Sequence, residues 1–130
     1  MANPNIVNVT TILGVTTYYT PSTTAAYSLL NNIASSGKVY KIESLVASNN
    51  TSSAATCTVS YYTAANVQGT TPPTGGTAYP ICTSVTVPAN ASLVVIEKTN
   101  GIYLMENACI SVTSGTSSAI TYTVSYEDIS

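Results

Sequence analysis

The sequence predicts an all-β fold: an antiparallel β-sandwich or jelly roll of about eight strands, with an internally repeated hairpin. Three observations predict it: period-two alternation of apolar and polar residues, segments rich in β-branched residues and tyrosine, and Gly, Pro or Asn at the segment ends. No segment shows the apolar period of a long helix. With 130 residues the chain is expected to form one domain, residues 1–130.

The clearest pattern is a repeated segment. TSSAATCTVSYY at residues 51–62 returns as TSSAITYTVSYE at residues 116–127, identical at nine of twelve positions. Alternation gives each copy an apolar side and a Thr/Ser side. The apolar side holds Ala55, Cys57, Val59 and Tyr61 in the first copy, and Ile120, Tyr122, Val124 and Tyr126 in the second. Turn residues and an earlier apolar run (residues 38–48 and 108–114) precede each copy, so each is predicted to be the second strand of a hairpin, equivalent in two sheets.

The remaining strands are predicted from β-branched and tyrosine-rich runs at residues 6–13, 15–20, 78–87 and 92–98. Pro80 marks its strand as an edge or bulged one. Residues 25–33 could form one or two helical turns capped from Ser22 to Thr24, but the neighbouring segments favour a strand.

Two irregular segments are candidates for contact with other proteins. The first is an N-terminal arm, about residues 1–8, and the second is a long central loop, about residues 66–76, with the sequence NVQGTTPPTGG. Both are long enough to reach a neighbouring molecule.

The composition excludes several functions. Charged residues make up 6% of the chain, against about 25% in an ordinary domain. There are three Lys, no Arg and no His, with a net charge of −2, which argues against nucleic-acid binding. No apolar stretch is long enough to span a membrane. A surface of Ser, Thr, Asn and Tyr predicts a protein covered by neighbours or chemically inert.

Catalytic groups are not found. Without histidine there is no Ser-His-Asp or Cys-His site. Glu43, Glu97 and Glu106 fall in separate segments, and the adjacent Glu127 and Asp128 would point to opposite faces of a strand. We therefore expect no enzyme, and no catalytic, metal-binding or cofactor-binding residues. Hydrolase activity lost on changing Glu97 or Glu106 would be needed to support the enzyme alternative.

The three cysteines, Cys57, Cys82 and Cys109, are widely spaced and form no C-x-x-C pair. They are predicted to be small buried thiols in a protein made in a reducing cytosol. The N-terminal sequence lacks the basic and apolar regions of a signal peptide, which agrees with this expectation.

The ten tyrosines are the only aromatic residues. Those on the apolar side of the repeat, Tyr61, Tyr122 and Tyr126, are predicted to lie in the core. The candidates for exposure are Tyr18, Tyr19, Tyr62 and Tyr79. Exposed tyrosine among Asn, Thr and Ser is typical of adhesive surfaces, and we favour a subunit contact over a sugar-binding site.

Several motifs occur in order along most of the chain: GKVYKI, an S-N turn, PANASLVVI, GIYLMEN and a final SYE. In these the chain resembles a family of short β-rich virion structural proteins of tailed bacteriophages, notably those of cyanobacteria and other aquatic bacteria. The central loop and the three cysteines depart from that pattern. The resemblance brings no catalytic motif.

The resemblance implies a non-enzymatic virion protein that is assembled in the host cytoplasm. We expect a capsid decoration or cement protein, a homotrimer that stabilises the shell through contacts with the major capsid protein or other virion proteins. The alternatives are a neck, tail or fibre component, and a receptor- or glycan-binding module.

Overall fold

The computed structural model describes residues 9–130 and contains two antiparallel β-sheets packed face to face. This arrangement confirms the predicted all-β sandwich. The strands are β1 (Ile12–Tyr19), β2 (Tyr27–Asn32), β3 (Val39–Asn49), β4 (Ala55–Tyr62), β5 (Ala78–Val87), β6 (Ser92–Ile96), β7 (Ile102–Leu104), β8 (Ala108–Ser114) and β9 (Ile120–Ile129). A single 3-10 turn, Lys98–Asn100, joins β6 to β7, and no helix of the described residues could span a membrane.

The strand order is that of a jelly roll. The five-stranded sheet runs β1-β9-β3-β6, with β7 also paired to β3, and the four-stranded sheet runs β2-β8-β4-β5. Strands of the first half of the chain pair with strands of the second half in reverse order. Ile12 lies opposite Ile129, Tyr27 opposite Val112, Ser48 opposite Ser92 and Tyr62 opposite Ala78. The chain is thus one long antiparallel ribbon that turns at the central loop and rolls into two sheets.

Two details at the level of single strands differ from the prediction. The runs at residues 6–13 and 15–20 were predicted as separate strands, but β1 continues through Gly14 with unbroken pairing to β9. The short β7 was not predicted, because three residues are too few to show alternation. The predicted N-terminal arm, residues 1–8, lies outside the described residues. Residues 9–130 contain nine strands, in agreement with the prediction of about eight.

Two other strand predictions are confirmed. Residues 25–33 contain a strand, β2, and not a helix. The strand that carries Pro80, β5, is at the edge of the four-stranded sheet, and its pairing with β4 shifts register twice.

The repeated segments form β4 and β9, which occupy equivalent inner positions in the two sheets. That equivalence was predicted, but the hairpins were wrong: β3 pairs with β9, and β4 pairs with β8. The turns at residues 50–54 and 115–119 instead carry the chain from one sheet to the other. This crossing sets the apolar faces of β3 and β4 opposite each other across the core, whereas a hairpin would leave them side by side in one sheet.

The core lies between the sheets and contains the predicted apolar side of both copies. Ala55, Cys57 and Val59 are buried on β4, and Ile120, Tyr122 and Val124 are buried on β9. The buried Tyr122 hydroxyl donates a hydrogen bond to the Thr113 carbonyl (2.9 Å) and shares another with Ser114 Oγ (3.2 Å). Burial raises the pKa of Tyr122. The hydroxyl therefore stays protonated and hydrogen-bonded inside the core.

The turn between β8 and β9 packs tightly against β4. The Gly115 amide donates to the Thr56 carbonyl (2.9 Å), and a Cβ atom on Gly115 would collide with Thr56 Oγ1. In the first copy the equivalent position is Asn50, whose amide donates to the Ala119 carbonyl (3.2 Å). Glycine at 115 is thus required by this contact, although the matching turn carries a side chain.

We predict that Gly115→Ala lowers the free energy of unfolding by about 1–3 kcal/mol, because the new methyl group overpacks against Thr56. Urea denaturation checks this. Gly14→Ala is the matched control: a Cβ atom there meets nothing within 4 Å in the same chain, so the stability of the single chain should be unchanged or slightly higher. Adding Thr56→Ala to Gly115→Ala should recover part of the loss. An equal loss in both glycine variants would contradict the steric explanation.

Candidate functional site

The broadest exposed feature is the outer face of the five-stranded sheet, which we call the hydroxyl face. Alternation on β9 buries Ile120, Tyr122 and Val124 and turns the residues between them outward. Registered pairing places similar residues beside them. The face consists of Thr121, Thr123 and Ser125 on β9, Thr16 and Tyr18 on β1 with Thr20 just after it, Ser44, Val46 and Ser48 on β3, and Ser92 and Val94 on β6.

Hydroxyl groups on this face bond to one another across the strands. Thr16 Oγ1 and Ser125 Oγ share a hydrogen bond of 2.9 Å, and Thr20 Oγ1 and Thr121 Oγ1 share one of 2.8 Å. Ser92 Oγ donates to Ser48 Oγ at 3.2 Å. These hydroxyl groups already bond to one another across the strands. Each of them therefore keeps a hydrogen-bond partner when another protein covers the face and excludes water.

Charges sit at one end of the same sheet and are paired there. Lys38 Nζ lies 2.9 Å from Asp128 Oδ2, and Lys41 Nζ lies 3.4 Å from Glu43 Oε1. The hydrogen bond to Asp128 raises the pKa of Lys38, and the Glu43 charge raises the pKa of Lys41, with a smaller effect from Glu127. Both amines stay protonated at neutral pH, and the strands away from this end remain uncharged.

The central loop covers the part of the outer face of the four-stranded sheet that lies over β2 and the end of β4. Ser28 Oγ donates to the Asn66 carbonyl (2.7 Å), and the Tyr62 hydroxyl donates to the Pro73 carbonyl (3.0 Å). Tyr62 is consequently 9% exposed. The prediction that Tyr62 is exposed was wrong, because alternation marks an outward direction but cannot show that a distant loop covers it.

Asn66 holds the loop closed. Its Oδ1 atom accepts the Thr74 amide (3.0 Å), and its Nδ2 atom donates to the carbonyls of Ala64 (3.2 Å) and Thr74 (3.3 Å). The loop that the sequence suggested as an arm toward a neighbour is therefore folded onto its own domain. Its exposed residues, including Val67 and Gln68, are the ones available for contact with a partner, which remains a prediction.

We predict that Asn66→Ala destabilises the protein by about 1–3 kcal/mol and makes the loop the first site of limited proteolysis, because three hydrogen bonds across the loop are lost. Val67→Ala is the control, since that side chain is exposed and its loss should change stability by less than about 0.5 kcal/mol. Thermal melts and digestion with peptide mapping check both. Unchanged protease resistance in Asn66→Ala would contradict the role of this residue.

The tyrosines suggested as exposed do not form one surface. Tyr18 is 68% exposed on the hydroxyl face, and Tyr79 is 59% exposed on β5 in the other sheet. Tyr19 is half-buried and packs on Tyr27, with ring centroids 5.3 Å apart. Among the tyrosines predicted for the core, Tyr122 is fully buried. Tyr61 and Tyr126 are half-buried and pack against the core. A stacking platform for sugars is thus not assembled from the predicted tyrosines.

A cluster of potential metal ligands is not found in residues 9–130. No three His, Cys, Asp or Glu side chains in this range lie together as a metal site would require. An open depression of about 280 Å³ lies beside the Gly115 turn. It is lined by Ala54, Ala55, Thr56, Thr86, Gly115 and Thr116. These residues have no acid or base, so the depression offers no group for proton transfer.

The three cysteines are free thiols in two environments. Cys57 lies in the core and contacts Cys82 on the neighbouring strand; burial, reinforced by Cys82, raises the pKa of Cys57 to about 12. Cys109 is buried near Ser28 and Asn66, and burial raises its pKa as well. The prediction of buried thiols holds for Cys57 and Cys109, whereas Cys82 is half-buried on the edge strand.

We predict that iodoacetamide labels Cys82 of the native protein well before Cys57 and Cys109, because the reagent needs an accessible thiolate. Peptide mass spectrometry over a time course measures the order. All three should react at similar rates in urea, which serves as the control. Faster labelling of Cys109 than of Cys82 would show that the central loop does not cover the four-stranded sheet in solution.

Comparison with known proteins finds likeness in structure only. No protein-family model matches the chain, and no curated protein is similar to it in sequence. A chain in the acidic stable capsid structure of Helicobacter pylori bacteriophage KHP30 is similar in structure, with TM-score 0.47 and 6% identity over 95% of this chain and 90% of that one. A chain of infectious bursal disease virus, Gx strain, has TM-score 0.41 and 8% identity over 93% of this chain. The protein spans 33% of that longer viral chain.

Proposed function

We propose that this protein is a non-enzymatic structural component of a phage virion, and specifically a decoration or cement protein that stabilises the capsid shell. The hydroxyl face would be its contact surface with the major capsid protein or with another virion protein.

The observation that carries this proposal is the chemistry of the hydroxyl face. It extends across four strands, three pairs of its hydroxyl groups are bonded to one another, and its charges are confined to one end. Protein interfaces are depleted of charge in their fully buried centre, because removing a charge from water is costly. Tyr18 and Val94 add exposed apolar area to the same surface.

Two further observations support a virion role over other uses of the fold. Jelly rolls occur in viral capsids, lectins and cupins, so topology alone does not choose among them. Residues 9–130 lack the metal-ligand cluster that a cupin enzyme uses, and the exposed Tyr18 and Tyr79 lie in different sheets and do not make one sugar platform. The resemblance to short phage virion proteins, in motifs that occur in order along the chain, favours a virion role.

A homotrimer at local three-fold points of the shell is the assembly that we expect, because symmetric oligomers are the norm for such modules. In that arrangement the hydroxyl face lies toward the shell. The exposed residues of the central loop, on the opposite sheet, are then free to contact a neighbouring subunit.

The deciding experiment is quantitative mass spectrometry of purified particles, with the major capsid protein as the internal reference. A cement protein should be present at about one copy per capsid subunit or one trimer per local three-fold point. Removing the protein from the particle should then lower the temperature at which the shell releases its DNA.

The other outcomes are equally informative. A ratio far below the capsid protein would place the protein at the neck, tail or fibres and overturn the cement assignment. Absence from particles would overturn the virion role altogether, and a glycan array would then test the remaining binding-module alternative.

A further inference from the structure

Three of the four sheet edges are blocked against pairing with another strand. On the β2 edge, the central loop takes the backbone groups: the Ser28 amide donates to the Thr70 carbonyl (3.2 Å) and the Gly69 amide to the Ser28 carbonyl (2.9 Å). The β5 edge has Pro80, two register shifts and a left-handed residue, Ser84. The remaining edge is divided between the short strands β6 and β7. Such features prevent edge-to-edge pairing.

The fourth edge, β1, carries none of these features. Its eight residues pair with β9 without a register shift, and its sequence, ILGVTTYY, contains no proline and no charge. Ile12 is 57% exposed, and no strand of residues 9–130 lies beyond it in the sheet. Near the end of β1, Gln68 Nε2 donates to the Tyr18 carbonyl at 3.4 Å. The stretch from Ile12 to Thr16 is left open.

The backbone groups that face outward can be identified from the hydrogen bonds. Thr11 and Ser130 exchange two backbone bonds of 3.0 Å, so odd-numbered residues of β1 bond to β9. The amides and carbonyls of Ile12, Gly14 and Thr16 therefore point away from the sheet. Gln68 reaching the Tyr18 carbonyl agrees with this assignment, since Tyr18 has the same parity.

Gly14 has no role within the described part of the chain. Its φ is not left-handed, no bulge occurs there, and an added Cβ atom would meet nothing within 4 Å. Glycine inside a strand costs about 0.5–1 kcal/mol relative to alanine. A glycine with no local reason inside a strand marks close approach of another backbone or side chain.

We propose that the β1 edge pairs with the β1 edge of a second copy of this chain, antiparallel and about a two-fold axis at Thr16. This register places Gly14 opposite Tyr18 of the second copy, so that the exposed ring covers the gap at the glycine, as aromatic residues do in paired strands. The Gly14 amide donates to the Tyr18 carbonyl, which can accept a second bond beside the one from Gln68.

A second copy fits this edge better than an unrelated strand for two reasons. The edge has no charge to match and is self-complementary, with Gly14 and Tyr18 equidistant from Thr16. The described residues also leave one edge open per molecule, so pairing closes at two copies and does not continue into a fibre.

The paired edges would join two hydroxyl faces into one continuous sheet face, because a two-fold axis perpendicular to the sheet keeps both outer faces on the same side. The contact differs from the capsid contact proposed above because its hydrogen bonds use the edge of the sheet, and the two surfaces share only the row from Thr16 to Tyr18. A trimer would use yet another surface, and β1 pairing would then link two trimers.

Amide hydrogen exchange of the full-length chain, followed by NMR at low and high protein concentration, tests the pairing. We expect the amides of Gly14, Thr16 and Tyr18 to become at least about tenfold better protected as concentration rises. The amides of Leu13, Val15 and Thr17, which bond to β9, are the internal control and should be protected at both concentrations. Outward-facing amides that exchange fast at both concentrations would overturn the proposal. Protection independent of concentration in a protein that sediments as a monomer would also overturn it, by showing that the edge is covered without a second copy.

A charge at the two-fold axis provides the second test. Thr16→Lys sets two ammonium groups opposite each other and should weaken self-association at least about tenfold in sedimentation equilibrium. Val94→Lys places the same charge on the hydroxyl face near the opposite edge and should leave association unchanged. Circular dichroism confirms that both variants fold. Equal effects of the two variants, or none from either, would overturn the β1 contact without bearing on the capsid assignment.

Discussion

Burial of one apolar face on β4 and one on β9 is the constraint on which the rest of the structure depends. These strands hold the inner positions of the two sheets, and their inward residues, from Ala55 to Val59 and from Ile120 to Val124, form the middle of the core. Both faces must be covered at once, so the chain crosses between sheets after β3 and after β8. Those crossings produce the interlocked pairing of β3 with β9 and of β4 with β8. The tight contact of Gly115 with Thr56 follows from the same crossings.

The two copies of the repeat have nearly the same sequence but present different surfaces, and their position along the ribbon explains why. β4 lies next to the point where the ribbon turns, so the central loop can fold back over Ser60 and Tyr62. β9 lies at the far end of the ribbon, and no loop of residues 9–130 folds back over Thr121 to Ser125. The hydroxyl face is therefore a consequence of jelly-roll topology acting on a duplicated strand.

Alternation in the sequence predicted which side of each repeated strand is buried, and the order of turn residues located most strand ends. It could not predict the pairing, because a period of two identifies the faces of a strand and not its neighbour. Tyr62 illustrates a further limit: its outward direction was correct, but burial by Pro73 depends on a loop eleven residues away in sequence. The polar positions of the second copy already contained the signal for the hydroxyl face. The extent of the face could not be predicted, because it depends on the pairing that places Thr, Ser and Val of β1, β3 and β6 beside these positions.

Scarcity of charge links the proposed capsid contact to the unusual edges of the sheets. Most β-proteins protect an exposed edge with lysine, but this chain has three lysines, two of which are engaged with Asp128 and Glu43. Its edges are protected instead by backbone devices: the left-handed Ser84, Pro80, and loop amides bonded to β2. Each of these features requires additional residues or a bend in the strand, and β1 contains neither. The absence of charge that makes the hydroxyl face suited to burial thus also leaves β1 open, and the two surfaces meet along the row from Thr16 to Tyr18.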